Sequence, residues 1–306
     1  MSVIQYDIYH DESKEAGYWH GILLIPRESK LFIKEQLDHF RKNVGLYEFL
    51  TFKGMGAKGR KYILIRAWLS FIQCCLAQRQ KKGSLYYFTG RKIGKGKERR
   101  VEILKLNGLI KAKFILFRIP DDHESFNKEF HNDYASLVET SFRIGLKGGL
   151  KSLIEPTSEI NIASFHFDNH EHYGRSLDIN KIINRLSDLP PNIKFADDIV
   201  VDDRTSNHCK TNCQDYIDCQ LLQATDLVIG AFRTVLGEAK NKTQIEASKP
   251  MEDLSQKWFA GKSRMNNSRW RNGFCLSQGF IENGQWSFPV FEKRVKIANY
   301  YQGNLF

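Results

Sequence analysis

Residues 3–25 read VIQYDIYHDESKEAGYWHGILLI, and how this stretch divides decides the fold. Val3 to His10 is rich in strand formers, Glu12 to Gly17 is turn-like, and Tyr18 to Ile25 is strand-forming again. That order predicts a β-hairpin. Side chains alternate along a strand, so Ile4, Tyr6 and Ile8 share one face and Asp7, Tyr9 and Asp11 the other. Asp11 falls at the strand's end, beside Glu12.

Working outward, Ser29–Val44 carries Leu31, Ile33, Leu37 and Phe40 among charges, the pattern of an amphipathic helix N-capped by Ser29. Tyr47–Phe52 reads as a short strand, Tyr62–Leu76 as a mostly buried helix, and Leu85–Phe88 and Lys113–Ile119 as strands. Asp122–Leu146 is helical, Ile160–Phe167 strand, Tyr173–Leu186 helix and Ile193–Val201 strand. Gln214–Leu236 is the longest clean helix. Strands alternating with helices after a hairpin imply an α/β chain, a mixed sheet with helices on both faces. Beyond about Gly237 the pattern weakens, with Trp258, Trp270 and Trp286 scattered among Arg264, Arg269 and Arg271. The expected division is a main domain over 1–237 and a basic, Trp-containing appendage over 238–306.

The chain has 306 residues, 42% of them hydrophobic, enough for a large core. No window reaches the ~18 apolar residues of a membrane span, and the N-terminus lacks a signal peptide's build. Cys74, Cys75, Cys209, Cys213, Cys219 and Cys275 do not read as a disulfide framework in so long a chain. A soluble, cytoplasmic protein with no membrane partner is expected.

Charge is unevenly spread. Phe49 to Lys97 contains no Asp or Glu but twelve bases: Lys53, Lys58, Arg60, Lys61, Arg66, Arg79, Lys81, Lys82, Arg91, Lys92, Lys95 and Lys97. Of 46 Lys and Arg residues this leaves 34 elsewhere against 35 Asp and Glu, so this segment alone makes the protein basic. A concentrated basic patch suits phosphate contacts and points to nucleic acid or another polyphosphate. Lys53, Lys58, Arg60, Lys61, Arg91 and Lys92 are the candidate contacts.

Three acids from distant parts of the chain stand out. Asp11 ends the first strand. Alternation through Ile160–Phe167 puts His166, Asp168 and His170 on one face, Asp168 again at a strand's C-terminal end, where ligands bind in open α/β sheets. On the long helix, Asp226 falls just past the apolar arc of Ile217, Leu221, Ala224, Val228 and Phe232, with Gln223 and Gly230 nearby. Hard divalent cations require several such oxygen ligands. The plainer reading is that strand-end aspartates cap turns and Asp226 faces solvent.

The opening "YHDES" and the late helix "CQLLQATDLVIGAFR" together resemble an uncharacterised bacterial family, the domain of unknown function numbered 3800. The resemblance implies a ribonuclease H-like fold over roughly residues 1–237. It also implies one acid on the first strand, one at the end of a later strand and one on a C-terminal helix: Asp11, Asp168 and Asp226, with Glu12 and Gln223 as further motif positions. The family often carries Glu-x-Lys near the end of its third strand. Here that segment reads Thr51-Phe52-Lys53, with Glu48 close but out of step, which puts a fourth ligand in doubt. The implied chemistry is Mg²⁺- or Mn²⁺-dependent phosphodiester cleavage, Asp11 bridging two cations and Asp168 and Asp226 each holding one side. His170 or His172 could shuttle a proton. The family's company adds a bacterial defence or toxin setting. The alternative is a non-catalytic nucleic-acid-binding protein of the same fold.

Other motifs are set aside. Gly54, Gly56 and Gly59 form a GxGxxG, but no acid follows ~20 residues on for a ribose. Gly94-Lys95 lacks the Walker spacing. His208, Cys209, Cys213 and Cys219 offer one CxxxC but no second ligand pair, which argues against zinc. Cys74 and Cys75 read as core.

Overall fold

The computed structural model describes residues 3–14, 17–56, 58–76, 85–93, 97–103, 110–120, 129–130, 133–168, 178–186, 189–203, 205–208, 216–238, 241–262, 273–282 and 284–289. In chain order the elements are β1 (Ile4–Ser13), β2 (Tyr18–Pro26), α1 (Arg27–Val44), α2 (Arg60–Leu76), β3 (Leu85–Ile93), β4 (Lys97–Ile103) and β5 (Lys113–Ile119). There follow α3 (Tyr134–Leu153), β6 (Ile160–Phe167), α4 (Ile179–Asn184), β7 (Ile193–Asp202), α5 (Tyr216–Arg233), α6 (Lys242–Lys262), β8 (Phe274–Gln278), β9 (Phe280–Glu282) and β10 (Gln285–Ser287).

Six strands form one mixed sheet in the order β7-β6-β1-β2-β5-β8. The hairpin β1–β2 is its centre, with Asp11 opposite Gly21, and β5 continues antiparallel on β2. On the other side β6 runs parallel to β1 and β7 parallel to β6. Helices cover both faces, so the chain is α/β. Tyr9, Trp19, Leu23 and Ile25 face α1, α2, α5 and α6, in one core with Ile33, Trp68, Leu221 and Met251. Tyr6, Ile8, Ile22 and Leu24 face α3, in a second core with Val138, Phe142 and Leu146.

The β1–β6 register contains a bulge. Tyr6 pairs with Ile162 but Asp7 pairs with Ser164, leaving Ala163 extra. Before the bulge Ile160 and Ile162 face the α3 core; after it Phe165 and Phe167 do. An inserted residue reverses which face the later side chains take. Ser164 and His166 are thereby turned to the side of Asp7, Tyr9 and Asp11.

Several expectations are corrected. Ser29 does not cap α1: the cap is Pro26, with no side-chain bond, and Ser29 lies buried inside the helix. Tyr47–Phe52 is not a strand, because its backbone groups bond to helix side chains rather than to a neighbouring strand. The segment expected as an appendage is built into the main core: α6 buries Ala247, Met251 and Leu254 there, and β8 pairs in parallel with β5. Its weak sequence pattern reflects a helix half-covered by α2 and α5 and a short edge strand. Cys219 is disulfide-bonded, although the six cysteines do not read as a disulfide framework in sequence. Cys74, Cys75 and Cys275 are buried thiols outside any disulfide. The starts of the helices expected at Asp122 and Tyr173, with Trp270, Cys209 and Cys213, lie outside the described residues. Among the described residues, no helix is long and apolar enough to cross a membrane.

On the α3 side, His10 Nε2 and His20 Nδ1 lie 3.0 Å apart, both side chains sealed from solvent. Burial alone pushes His20 down to about 3, so the folded protein keeps it neutral while the unfolded chain protonates it below about 6.5. Its contribution is complete above about 6.5 and is lost as pH falls toward 3. The stability difference between His20→Phe and the parent should therefore shift in the variant's favour by about 1.4 kcal/mol per pH unit below 6.5. Urea unfolding at stepped pH measures this, and a pH-independent difference would refute it.

Candidate functional site

The bulge carries the parallel pairing of Tyr9 with His166 and of His10 with Phe167. Continued one step past the end of β6, that register would set Asp11 level with Asp168, about 4.8 Å away across the pair. The third acid arrives on α5. A Cβ on Gly21, directly opposite Asp11, would collide with the Ile229 side chain. The bare glycine thus lets α5 settle against the sheet at the level where Asp226 is carried.

The three carboxylates feel one another. Burial and then the charges of Asp226 and Asp168 push Asp11 well above the usual carboxylate range, against the bond it accepts from Glu12 N–H at 2.7 Å. Asp226 is pushed up to about 6 by burial and by the Asp168 charge, held back by the Phe52 N–H and the charges of Arg233 and Lys53. All three aspartates keep some exposed surface. A ligand can reach them.

No protein-family model, curated protein or solved structure matches this chain. The site therefore rests on its own geometry.

The segment from Leu46 to Phe52 is fastened across α5. Buried Arg41 donates to the carbonyls of Leu46 at 3.4 Å and Glu48 at 2.8 Å, and to Gln223 Oε1 at 3.0 Å. Gln223 Oε1 also accepts from Leu50 N–H at 2.9 Å, and Asp226 Oδ2 accepts from Phe52 N–H at 2.9 Å. A Cβ on Gly230 would collide with the Phe52 ring. Gln223, Asp226 and Gly230 recur at helical spacing, so one face of α5 holds the loop. Gln223 is a tether here.

Beneath the aspartates lies a second polar layer. Asp7 takes Arg27 Nε at 2.8 Å, Lys30 Nζ at 3.0 Å and Ser164 Oγ at 2.6 Å. Burial would raise Asp7, but the Lys30 charge and these bonds outweigh it and hold it below its usual value. Lys30 Nζ also lies 2.6 Å from Asp218 Oδ1, which accepts from Tyr9 Oη at 2.5 Å. His166 stacks on Tyr9 with ring centroids 4.8 Å apart. Tyr9, His166 and Asp218 precede Asp11, Asp168 and Asp226 on the same three elements, so this layer fixes their relative heights. Sequence reading missed it, because a Lys and an Asp on two helices give no local signal that they meet.

Other expected site residues fall elsewhere. Glu12 is turned to the α3 side, where its Oε1 accepts from Tyr134 Oη at 2.6 Å. Glu48 is exposed, and its charge registers on Arg41. Lys58 bonds Glu246 at 2.6 Å, and Arg60 is exposed beside it. The glycine run is a turn in which Gly54 N–H donates to Thr51 Oγ1 at 3.1 Å, beside the Lys61 ammonium. His170, His172 and the side chains of Arg91 and Lys92 lie outside the described residues.

The donor set, three mutually repelling carboxylates, has the chemistry of a hard divalent-cation site. Among the described residues no three His, Cys, Asp or Glu side chains already form a finished ligand group. A cation would have to draw the carboxylates in.

Two measurements check this geometry. Gly21→Val should press α5 away from the sheet and cost roughly 1–3 kcal/mol in urea unfolding; an unchanged midpoint would mean the helix is not seated there. Asp11→Asn should raise the melting temperature at pH 7 in EDTA. Folded Asp11 retains its proton where the unfolded chain has released one, a cost that grows as pH rises above about 4 and disappears below it. A gain of equal size at pH 3.5 would contradict the assignment.

Proposed function

We propose that this protein is a metal-dependent nuclease with a ribonuclease H-like fold, hydrolysing phosphodiester bonds of nucleic acid. The observation that carries the reading is that Asp11, Asp168 and Asp226, from the ends of two parallel strands and a covering helix, lie near enough for their charges to act on one another. That is the distribution of acids implied by the resemblance of "YHDES" and "QATDLV" to the domain family numbered 3800. Asp11, central to the three, would bridge Mg²⁺ or Mn²⁺ ions, with Asp168 and Asp226 on either side. Such cations, when bound, supply water activation and charge stabilisation for in-line displacement.

The chain's own residues do the rest. A bound cation would displace the Asp11 proton to solvent, so metal affinity would rise with pH. The Phe52 N–H fixes one oxygen of Asp226 and so its orientation. Lys53, near enough for its charge to act on Asp226, and Lys61 at the same turn place positive charge where a phosphate backbone would pass. Arg60, exposed beside that turn, adds to that field.

A second reading, binding without cleavage, draws on the exposure of Glu48, whose charge registers on Arg41, and on the absence of a finished ligand group among the described residues.

Asp11→Asn separates the two. It keeps the side chain's size and removes the charge, so nucleic-acid binding should persist while cleavage in Mg²⁺ or Mn²⁺ falls by orders of magnitude. Arg60→Ala with Lys61→Ala should instead weaken binding and flatten its salt dependence. A parent protein that cleaves neither DNA, RNA nor hybrid with either metal would leave the binding reading. Equal cleavage by Asp11→Asn would place the chemistry elsewhere.

A further inference from the structure

Tyr47 and Phe49 are 57% and 45% exposed, although they sit in a segment whose backbone is fastened at four points. Their neighbours Leu50 and Phe52 are buried in the α1–α2–α5 core. Tyr47, Glu48 and Phe49 are exposed in succession around a bend at Glu48, and the chain is buried again at Leu50. Large aromatic side chains left in water cost free energy unless something covers them. Here the chain spends Arg41, Gln223 and Asp226 on holding the segment in place.

We propose that Tyr47 and Phe49 form a base-stacking platform for single-stranded nucleic acid entering the three-aspartate site. The inference rests on the nuclease reading and names its substrate class. Charge and continuity favour this occupant. The acid-free basic run begins at Phe49, and Lys53, Lys58, Arg60 and Lys61 follow within it. The one acid between the rings, Glu48, lies by the buried Arg41 charge. Phe49 stands three residues from the amide that bonds Asp226, at most about 11 Å of chain. Every base has a π-face, so such a platform accepts any sequence. A base inside a duplex is already stacked and paired and offers no face to it. Paired rings beside a cationic track are the general means of gripping a single strand.

The test is fluorescence anisotropy in EDTA with labelled strands of about fifteen nucleotides. The probes are oligo(dT), oligo(rU), an abasic strand of equal charge and a blunt duplex. A companion assay follows Mn²⁺-dependent hydrolysis of bis(p-nitrophenyl) phosphate, which has no base to stack. The parent should prefer base-bearing strands of either sugar over the abasic strand and the duplex by roughly ten-fold or more. Tyr47→Ala with Phe49→Ala should erase that preference and leave the melting temperature and the small-ester hydrolysis unchanged. Tyr47→Trp with Phe49→Trp should keep it. Equal binding of abasic and base-bearing strands by a parent that hydrolyses the ester would overturn this inference alone. A parent that neither hydrolyses the ester nor binds any strand would overturn the nuclease reading with it. Self-association in sedimentation that the alanine pair abolishes, with strand binding unaltered, would assign the rings to a second copy and also overturn it.

Discussion

Ala163 has no partner where β6 runs beside β1, and the side chains that follow it depend on that slip. With an unbroken register Ser164, His166 and Asp168 would continue the face of Ile160 and Ile162 and point into the α3 core. Polar groups there would meet Phe142 and Leu146, at the cost of leaving their hydrogen bonds unmade. The bulge sends them instead to the side of Asp7, Tyr9 and Asp11. It is held from both directions: Arg27 Nη2 donates to the Ala163 carbonyl at 3.4 Å, and Ser164 Oγ donates to Asp7. One buried ionic cluster thus fixes the register, and the register fixes which face the acids occupy.

The other half of the site follows from an unusual solution to backbone bonding. A segment with no strand beside it must place its amides and carbonyls somewhere. Arg41 supplies donors and Gln223 and Asp226 supply acceptors, so side chains on two helices take the part of a missing strand. Asp226 therefore both holds the loop and faces the other aspartates. That couples loop position to the state of the site, because anything that pulls Asp226 toward Asp11 also pulls on the Phe52 amide.

Much of the fold was legible because hydrophobic periodicity is local. The hairpin, the β6 and β7 strands and the α5 helix fall close to where their patterns place them, and the strand-end positions of Asp11 and Asp168 come from the same patterns. What stayed hidden depends on contacts between distant segments. Nothing in the order Ile-Ala-Ser-Phe marks Ala163 as a bulge, since the irregularity exists only against β1. Tyr47–Phe52 has strand propensity, and its partner turned out to be helix side chains. The segment after Gly237 looked peripheral because α6 buries a narrow stripe, Ala247, Met251 and Leu254, too sparse to stand out among its polar residues. Arg41 is a buried cation and Lys30 a partly buried one, where sequence patterns would place both at the surface.

The central claim is that Asp11, Asp168 and Asp226 together hold divalent cations. The most direct measurement is an anomalous-difference map from crystals of the protein soaked in Mn²⁺. The account predicts one or two peaks between these carboxylates, with ligand distances of about 2.0–2.6 Å. A fully soaked crystal whose map is featureless there, with the three carboxylates still apart, would contradict it.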